Sequence, residues 1–203
     1  DNELFEYTNV IIKEADRLRD LVDNMLVSSK REIKYDRVNI HELTERVKTL
    51  IESEYKEITI DCDYDVSIPE LECDLTQMVQ VILNVCRNAA EALANHHVDS
   101  PKITIKSRIA RQTTLRRKKH TLAVSLEIKD NGPGIPDFIQ DQIFYPLVSS
   151  HPNGQGIGLT LAQEIIHAHG GLIDFDSKKG STSFTIHIPL SKSERVNEFS
   201  MDS

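Results

Sequence analysis

Asn84 and Asn88 stand four residues apart in the run NVCRNAAEA, Asp130 opens DNGPGIP, and Gly154, Gly156 and Gly158 alternate in GQGIGL. On a helix, the two asparagines sit on adjacent turns and can present neutral oxygens to a hard cation. A carboxylate held at the end of a buried strand can accept a hydrogen bond from an exocyclic amine such as that of adenine. Backbone N–H groups of a glycine loop, backed by a helix N-terminus, can cradle phosphate oxygens. Each motif taken singly also fits a plainer role: a solvated helix face, a strand-ending turn, a flexible loop. The glycine loop lacks the Lys-Ser/Thr of a Walker A loop and the third glycine position of a dinucleotide fingerprint.

The elements that position these residues follow from periodicity. Asp74-Leu75-Thr76-Gln77 reads as a capping box, with Gln77 reaching back to the cap. From there to about Asn95, Leu75, Val79, Ile82, Cys86 and Leu93 recur every three or four positions and share one helix face. Gln77, Gln80, Asn84, Asn88, Glu91 and Asn95 line the opposite side. TLAVSLEIKD alternates Leu122, Val124, Leu126 and Ile128 with mostly polar neighbours, the pattern of a half-buried strand that runs into Asp130. Around these the expected order is a helix from Leu4 to Leu26, a linker near Ser28 to Arg37, a helix from Asn39, and a strand at Ile58–Cys62. After the Asp74 helix come strands at Ile103–Ile109 and Thr121–Ile128, a short helix after Pro136, a helix from Leu159 to His169, and strands at Leu172–Asp176 and Ser183–Ile188. Strands and helices mixed in this way suit a two-layer α/β sandwich. In the first helix, Leu4, Ile11, Leu18 and Met25 fall at seven-residue steps, the seam of a coiled coil or helical bundle.

Composition narrows the classes. The 203-residue chain can bury one full core, and its net charge of −8 argues against general nucleic-acid binding. Its basic run, Arg116-Arg117-Lys118-Lys119, lies between two strand-like segments and reads as a solvated hairpin tip. Cys62, Cys73 and Cys86 lack CxxC spacing, which suits reduced thiols and a cytoplasmic compartment. No apolar stretch is long enough to span a bilayer, and no signal-peptide pattern is present. The histidines show no zinc-ligand spacing and read as surface or packed residues. The tail after Ser191 is polar and expected to be disordered.

In this order and at this spacing, the motifs resemble the GHKL ATP-binding domain, and specifically the catalytic domain of a sensor histidine kinase. DLTQMVQVILNVCRNAAEAL looks like the N box, DNGPGIP the G1 box, IFYPLVSS the F box, and NGQGIGLTLAQEIIHAHGG the G2 box with its helix. The resemblance implies Asn88 as a ligand of Mg2+, Asp130 on adenine, and Gly132 and Gly134 shaping the pocket floor. It places Gly154, Gly156 and Gly158 on the phosphates of ATP, with Leu159 in the same binding set. The stretch from about Phe144 to Gln155 would be a short ATP lid anchored by Phe144. Arg87 is a further phosphate-neutralising candidate, although an i,i+4 pair with Glu91 competes for it. SIPELECDLTQMVQV, TLRRKKHTL and FYPLVSS are similar to the nitrogen-regulation sensor kinases of the NtrB type.

Asn84 bears on the reaction. ATP-hydrolysing and serine-kinase members of the superfamily usually carry a general-base Glu four residues before the Mg2+ asparagine, and neutral Asn84 cannot take a proton. Asn84 and Asn88 are therefore expected to serve phosphoryl transfer to a histidine, which needs chiefly positioning and charge neutralisation. The phosphoacceptor motif itself is absent; His41-Glu42-Leu43-Thr44 lacks its basic residue and proline, and His41 reads as lying near the start of a surface helix. The expected organisation is residues 1–30 as the second helix of a truncated dimerisation domain, 31–38 as linker, 39–191 as catalytic domain and 192–203 as tail. The implied partners are ATP or ADP, a response regulator receiver domain, the missing acceptor helix, a second protomer, and a PII-type signalling protein. The alternatives are an ATPase or serine kinase of the same superfamily, or a nucleotide-sensing module that binds without transfer.

Overall fold

The computed structural model describes Thr8 and residues 33–115, 118–148 and 156–190. Apart from Thr8, the helix expected from Leu4 to Leu26 lies outside the described residues, as do the tail, Arg116, Arg117, His151 and Gly154. In chain order the elements are β1 (Asp36–Val38), α1 (Ile40–Glu54), β2 (Thr59–Tyr64), β3 (Leu71–Cys73) and α2 (Leu75–Asn95). They are followed by β4 (Lys102–Leu115), β5 (Lys118–Asp130), α3 (Asp137–Gln140), α4 (Gly158–Ala168), β6 (Leu172–Lys178) and β7 (Ser181–Pro189). No helix among the described residues is long and apolar enough to cross a membrane.

The larger sheet has the order β2-β4-β5-β7-β6, with β2 parallel to β4 and the other pairs antiparallel. Period-two alternation and register together build rows across it. Cys62, Ile105, Ile128, Phe184 and Phe175 form one row, and Tyr64, Ser107, Leu126, Ile186 and Ile173 the next. These rows meet α1, α2 and α4 in a single apolar core that includes Val47 and Ile51, Val85 and Ala89, and Ala162 and Ile166. The expected two-layer α/β sandwich is therefore the observed fold.

Local chemistry sets the helix starts. Asn39 caps α1 by accepting from the His41 backbone N–H at 2.9 Å, and Asp74 caps α2 by accepting from that of Gln77 at 3.0 Å. The reciprocal half of the expected capping box is not made by Gln77, because the Asp74 N–H donates to Nε2 of His169 at 3.1 Å. The buried face of α2 is formed by Met78, Val81, Ile82, Val85, Cys86, Ala89, Ala90 and Leu93. It is turned slightly from the expected one: Leu75 is exposed and Val79 half-buried, because Met78, Val81, Val85 and Ala89 are the residues the core takes up.

Three other expectations shift. The stretch read as a linker ends in β1, which pairs with β3 in a two-stranded sheet that periodicity over three residues cannot announce. The β4–β5 hairpin is longer than expected: β2 follows β4 only to Ser107 and β7 reaches β5 only from Ala123, so its far part is a two-stranded ribbon. Leu122, where that ribbon begins, is exposed in spite of its place in the alternation. His41 does lie at the start of α1 but is not free on the surface; its Nε2 meets Ser107 Oγ at 2.9 Å and its ring stacks on Tyr64.

Phe184 is 1% exposed and touches both Phe144 and Phe175 edge-on or tilted, at centroid distances of 6.5 and 6.0 Å. Phe184→Ala is expected to lower stability by about 3–5 kcal/mol in urea denaturation, whereas Phe138→Ser, at an exposed position on α3, changes it by less than about 0.5 kcal/mol.

Candidate functional site

Asp130 continues the inward series Val124, Leu126, Ile128 by one more step, so its carboxylate points to the helix side where the strand leaves the core. It is 4% exposed, and its register partners are Ile103 on β4 and Thr182 on β7. The Gly132 N–H donates to Asp130 Oδ1 at 2.8 Å. Burial pushes the carboxyl up to about 6, against the opposing pull of the backbone N–H bonds from Gly132 and from Asp130 itself.

Gly132 lies between this carboxylate and α2. A Cβ built there would stand 2.6 Å from Asp130 Oδ1 and 3.7 Å from Leu93 Cδ2, so any side chain would fill the space beside the carboxylate. Gly134 turns the chain with φ +89°, and its backbone abuts the Lys178 carbonyl at the end of β6. Beyond it, the Ile135 N–H donates to Ser177 Oγ at 2.8 Å, and Ser177 Oγ lies 3.3 Å from Thr182 Oγ1. Thr182 is buried beside Asp130 and was not singled out by the sequence reading; its only trace there is the inward alternation of β7, which needs the strand register to become meaningful.

The asparagine stripe of α2 is half-buried at Asn84 and Asn88, unlike a solvated face. Asn84 Nδ2 donates to the Gly158 carbonyl at 3.0 Å, which brings the stripe and the glycine loop together. That bond uses the amide nitrogen and leaves Asn84 an oxygen as its acceptor group. At the head of α4, Ile157 supplies no side-chain cap, so the first N–H groups of the helix keep the donor capacity that suits an anion. Leu159 lies in this first turn and is half-buried.

Gly156 adopts φ +66°, and a Cβ on it would stand 2.6 Å from the Leu147 carbonyl carbon. The Leu147 N–H donates to the Gly156 carbonyl at 2.9 Å, so the described base of the loop after Phe144 is stitched to the glycine segment. Phe144 is half-buried against Phe175 and Phe184, and its carbonyl accepts from Thr160 Oγ1 at 3.0 Å. Arg87 is not paired with Glu91 as the i,i+4 spacing suggested; it forms a 3.0 Å ion pair with Glu54 at the end of α1. The sequence reading missed this because Glu54 is 33 residues away and becomes a neighbour only when α1 packs beside α2.

With this geometry in view, comparison with known proteins defines the class. The pattern of the histidine kinase-, DNA gyrase B-, and HSP90-like ATPases matches residues 73–192, and the chain belongs to that family. The chain is similar to the sensory histidine kinase/phosphatase NtrB of Vibrio alginolyticus, with 44% identity over 191 residues, 94% of this chain and 54% of that protein. It is also 42% identical over 193 residues to the protein of the same name from Escherichia coli O157:H7, covering 95% of this chain and 54% of that one. The chain thus spans about half the length of the curated relatives it matches. Among solved structures, the nucleotide-free catalytic domain of histidine kinase ThkA superposes with a TM-score of 0.67 at 27% identity, covering 80% of this chain and 99% of that domain.

The raised pKa of Asp130 carries a stability consequence with a definite sign. Because the folded value of about 6 lies above the ordinary aspartate value of 3.8, the folded state is favoured while the carboxyl is protonated and loses that advantage as pH rises through about 6. Asp130→Asn can keep the bond from Gly132 without ionising. It is expected to be more stable than the parent by on the order of 2–3 kcal/mol at pH 7.5, with the difference closing as pH falls from about 6 towards 4 in thermal unfolding.

Proposed function

We propose that this chain is the catalytic ATP-binding domain of a two-component sensor histidine kinase, acting in nitrogen regulation. The observation that carries this reading is the buried Asp130 carboxylate, bonded to Gly132 at the end of β5 and set against the α2 helix that holds Asn84 and Asn88. The ionised carboxylate accepts from the exocyclic amine of adenine, and Thr182 beside it adds a hydroxyl to the same wall. Gly154, Gly156 and Gly158 with the open N–H groups of α4 take the phosphates, and Leu159 closes the first turn beside them. Gly134 and its neighbours hold the floor, and Phe144 anchors the lid.

The residues present fit Mg2+: the stripe offers neutral amide oxygens, and Asn84 has already committed its nitrogen to Gly158. Bound Mg2+ neutralises charge on the phosphates, and Asn88 is the residue proposed to hold it. Asn84 sets the stripe against the loop and removes no proton, which agrees with transfer to a histidine rather than with hydrolysis. Arg87 reaches the phosphates only by leaving Glu54.

In this reading residues 39–191 form the catalytic unit, with β1 joined to it through β3. A helix within 1–30 belongs to a dimerising hairpin, 31–38 link the two, and 192–203 form a tail. The acceptor histidine is supplied on a helix bundle in a homodimer, a response regulator receives the phosphoryl group, and a PII-type protein regulates the exchange. Cys62, Cys73 and Cys86 are not joined in disulfides, which agrees with a cytoplasmic setting.

Calorimetric titration of a non-hydrolysable ATP analogue with Mg2+ tests the site. Binding is expected to collapse in Asp130→Ala and to lose its Mg2+ dependence in Asn88→Ala. Affinity in the parent chain should fall as pH drops through about 6, because a neutral Asp130 carboxyl accepts from the amine more weakly than the charged carboxylate does. Supplying a fragment that carries the acceptor hairpin should yield an acid-labile label on its histidine. Rapid ATP hydrolysis by the unaltered chain would sink the kinase reading, and nucleotide binding without any label would favour a sensing module.

A further inference from the structure

His169 is wholly buried at the C-terminal end of α4, where it has no place in the nucleotide chemistry described above. Its Nδ1 lies 2.8 Å from the Ile165 carbonyl, which can only accept, so Nδ1 carries the proton. Its Nε2 lies 3.1 Å from the backbone nitrogen of Asp74, which can only donate, so Nε2 is the acceptor. Both partners together demand a neutral ring in one tautomer. The Asp74 N–H is the group that a capping-box side chain would ordinarily take, and here a residue 95 positions away takes it.

The location gives the bond its meaning. Asp74 begins α2, ten residues before Asn84, and His169 follows α4, eleven residues after Gly158. The Asn84–Gly158 bond joins the middle of α2 to the head of α4, and the Asp74–His169 bond joins the head of α2 to the tail of α4. The two helices are therefore clamped antiparallel at both ends of their contact. The segment entering β1 closes on the same joint: the Lys34 N–H donates to Asp74 Oδ2 at 3.2 Å, and the Tyr35 ring meets His169 edge-on at 5.7 Å.

We propose that His169 is a positioning residue that fixes α4 against α2, and so holds the glycine loop in register with the asparagine stripe. The inference rests on the nucleotide reading of that stripe and loop. Loss of the tie lets α4 slide or tilt on α2, which disturbs the phosphate end of the site. Asp130 on β5 is held by the sheet and keeps the adenine end.

The test uses this chain with two substitutions. His169→Asn keeps a donor for Ile165 but is too short to reach Asp74, whereas His169→Gln can place an oxygen where Nε2 stands. Binding of the Mg2+–ATP analogue is expected to weaken about tenfold in His169→Asn, with adenosine binding kept within about twofold and most of the loss recovered in His169→Gln. Hydrogen exchange in the nucleotide-free chain reads the tie separately. The amides of Asp74 to Gln77 should exchange faster in His169→Asn than in His169→Gln. Unchanged exchange in His169→Asn would overturn the tie, and equal losses for both ligands would overturn the positioning role. A parent chain that binds neither ligand yet shows the exchange difference would overturn the nucleotide reading and the positioning role with it, while the tie would stand.

Discussion

Keeping the Asp130 carboxylate out of water is costly, and much of the surrounding architecture follows from it. A buried carboxylate needs donors, and the Gly132 N–H supplies one only because the chain turns back sharply after the strand. A Cβ at position 132 would stand 2.6 Å from the same carboxylate oxygen, so any residue but glycine there must displace it. The cost is borne by the apolar rows behind it. Ile128 and Leu126 on the same strand are fully packed between neighbours on β4 and β7, which leaves β5 no freedom to turn Asp130 outward. The same burial that packs these rows raises the carboxyl to about 6, and the proposed adenine contact rests on that buried acceptor.

The second constraint is the double duty of α2. Its inner face supplies the core with residues three and four apart, while its other side faces α4 and the glycine segment. A helix that is apolar on one side and amide-bearing on the other can be fixed only by contacts along its length. Asn84 and the Asp74 cap supply two of them, and the Arg87–Glu54 pair links the solvent-facing edge to α1. That pair is exposed and adds little stability by itself. It holds the Arg87 guanidinium at the end of α1 rather than beside Glu91.

The segment that follows α3 obeys the same logic. Phe144 is seated by Phe175 and Phe184, two residues that neighbour each other across β6 and β7, and by the bond from Thr160 to its carbonyl. The positive φ of Gly156 lets the glycine segment pass close to Leu147 and Val148.

What the sequence determined by itself is local. The amphipathic period of α2, the alternation that ends in Asp130, the helix beginning after Asn39 and the Asp74 cap are all properties of a few consecutive residues, and each is present in the fold. Their order was enough to identify the superfamily. What tertiary structure decided lies between elements. Thr182 beside Asp130, Glu54 in place of Glu91 on Arg87, His169 in place of Gln77 on the α2 cap, and β1 on β3 all join residues far apart in the chain. Dihedral preference and side-chain period act over one or two turns or strands, whereas these partners depend on which surfaces burial presses together. Only the packed sheet and helices make that selection.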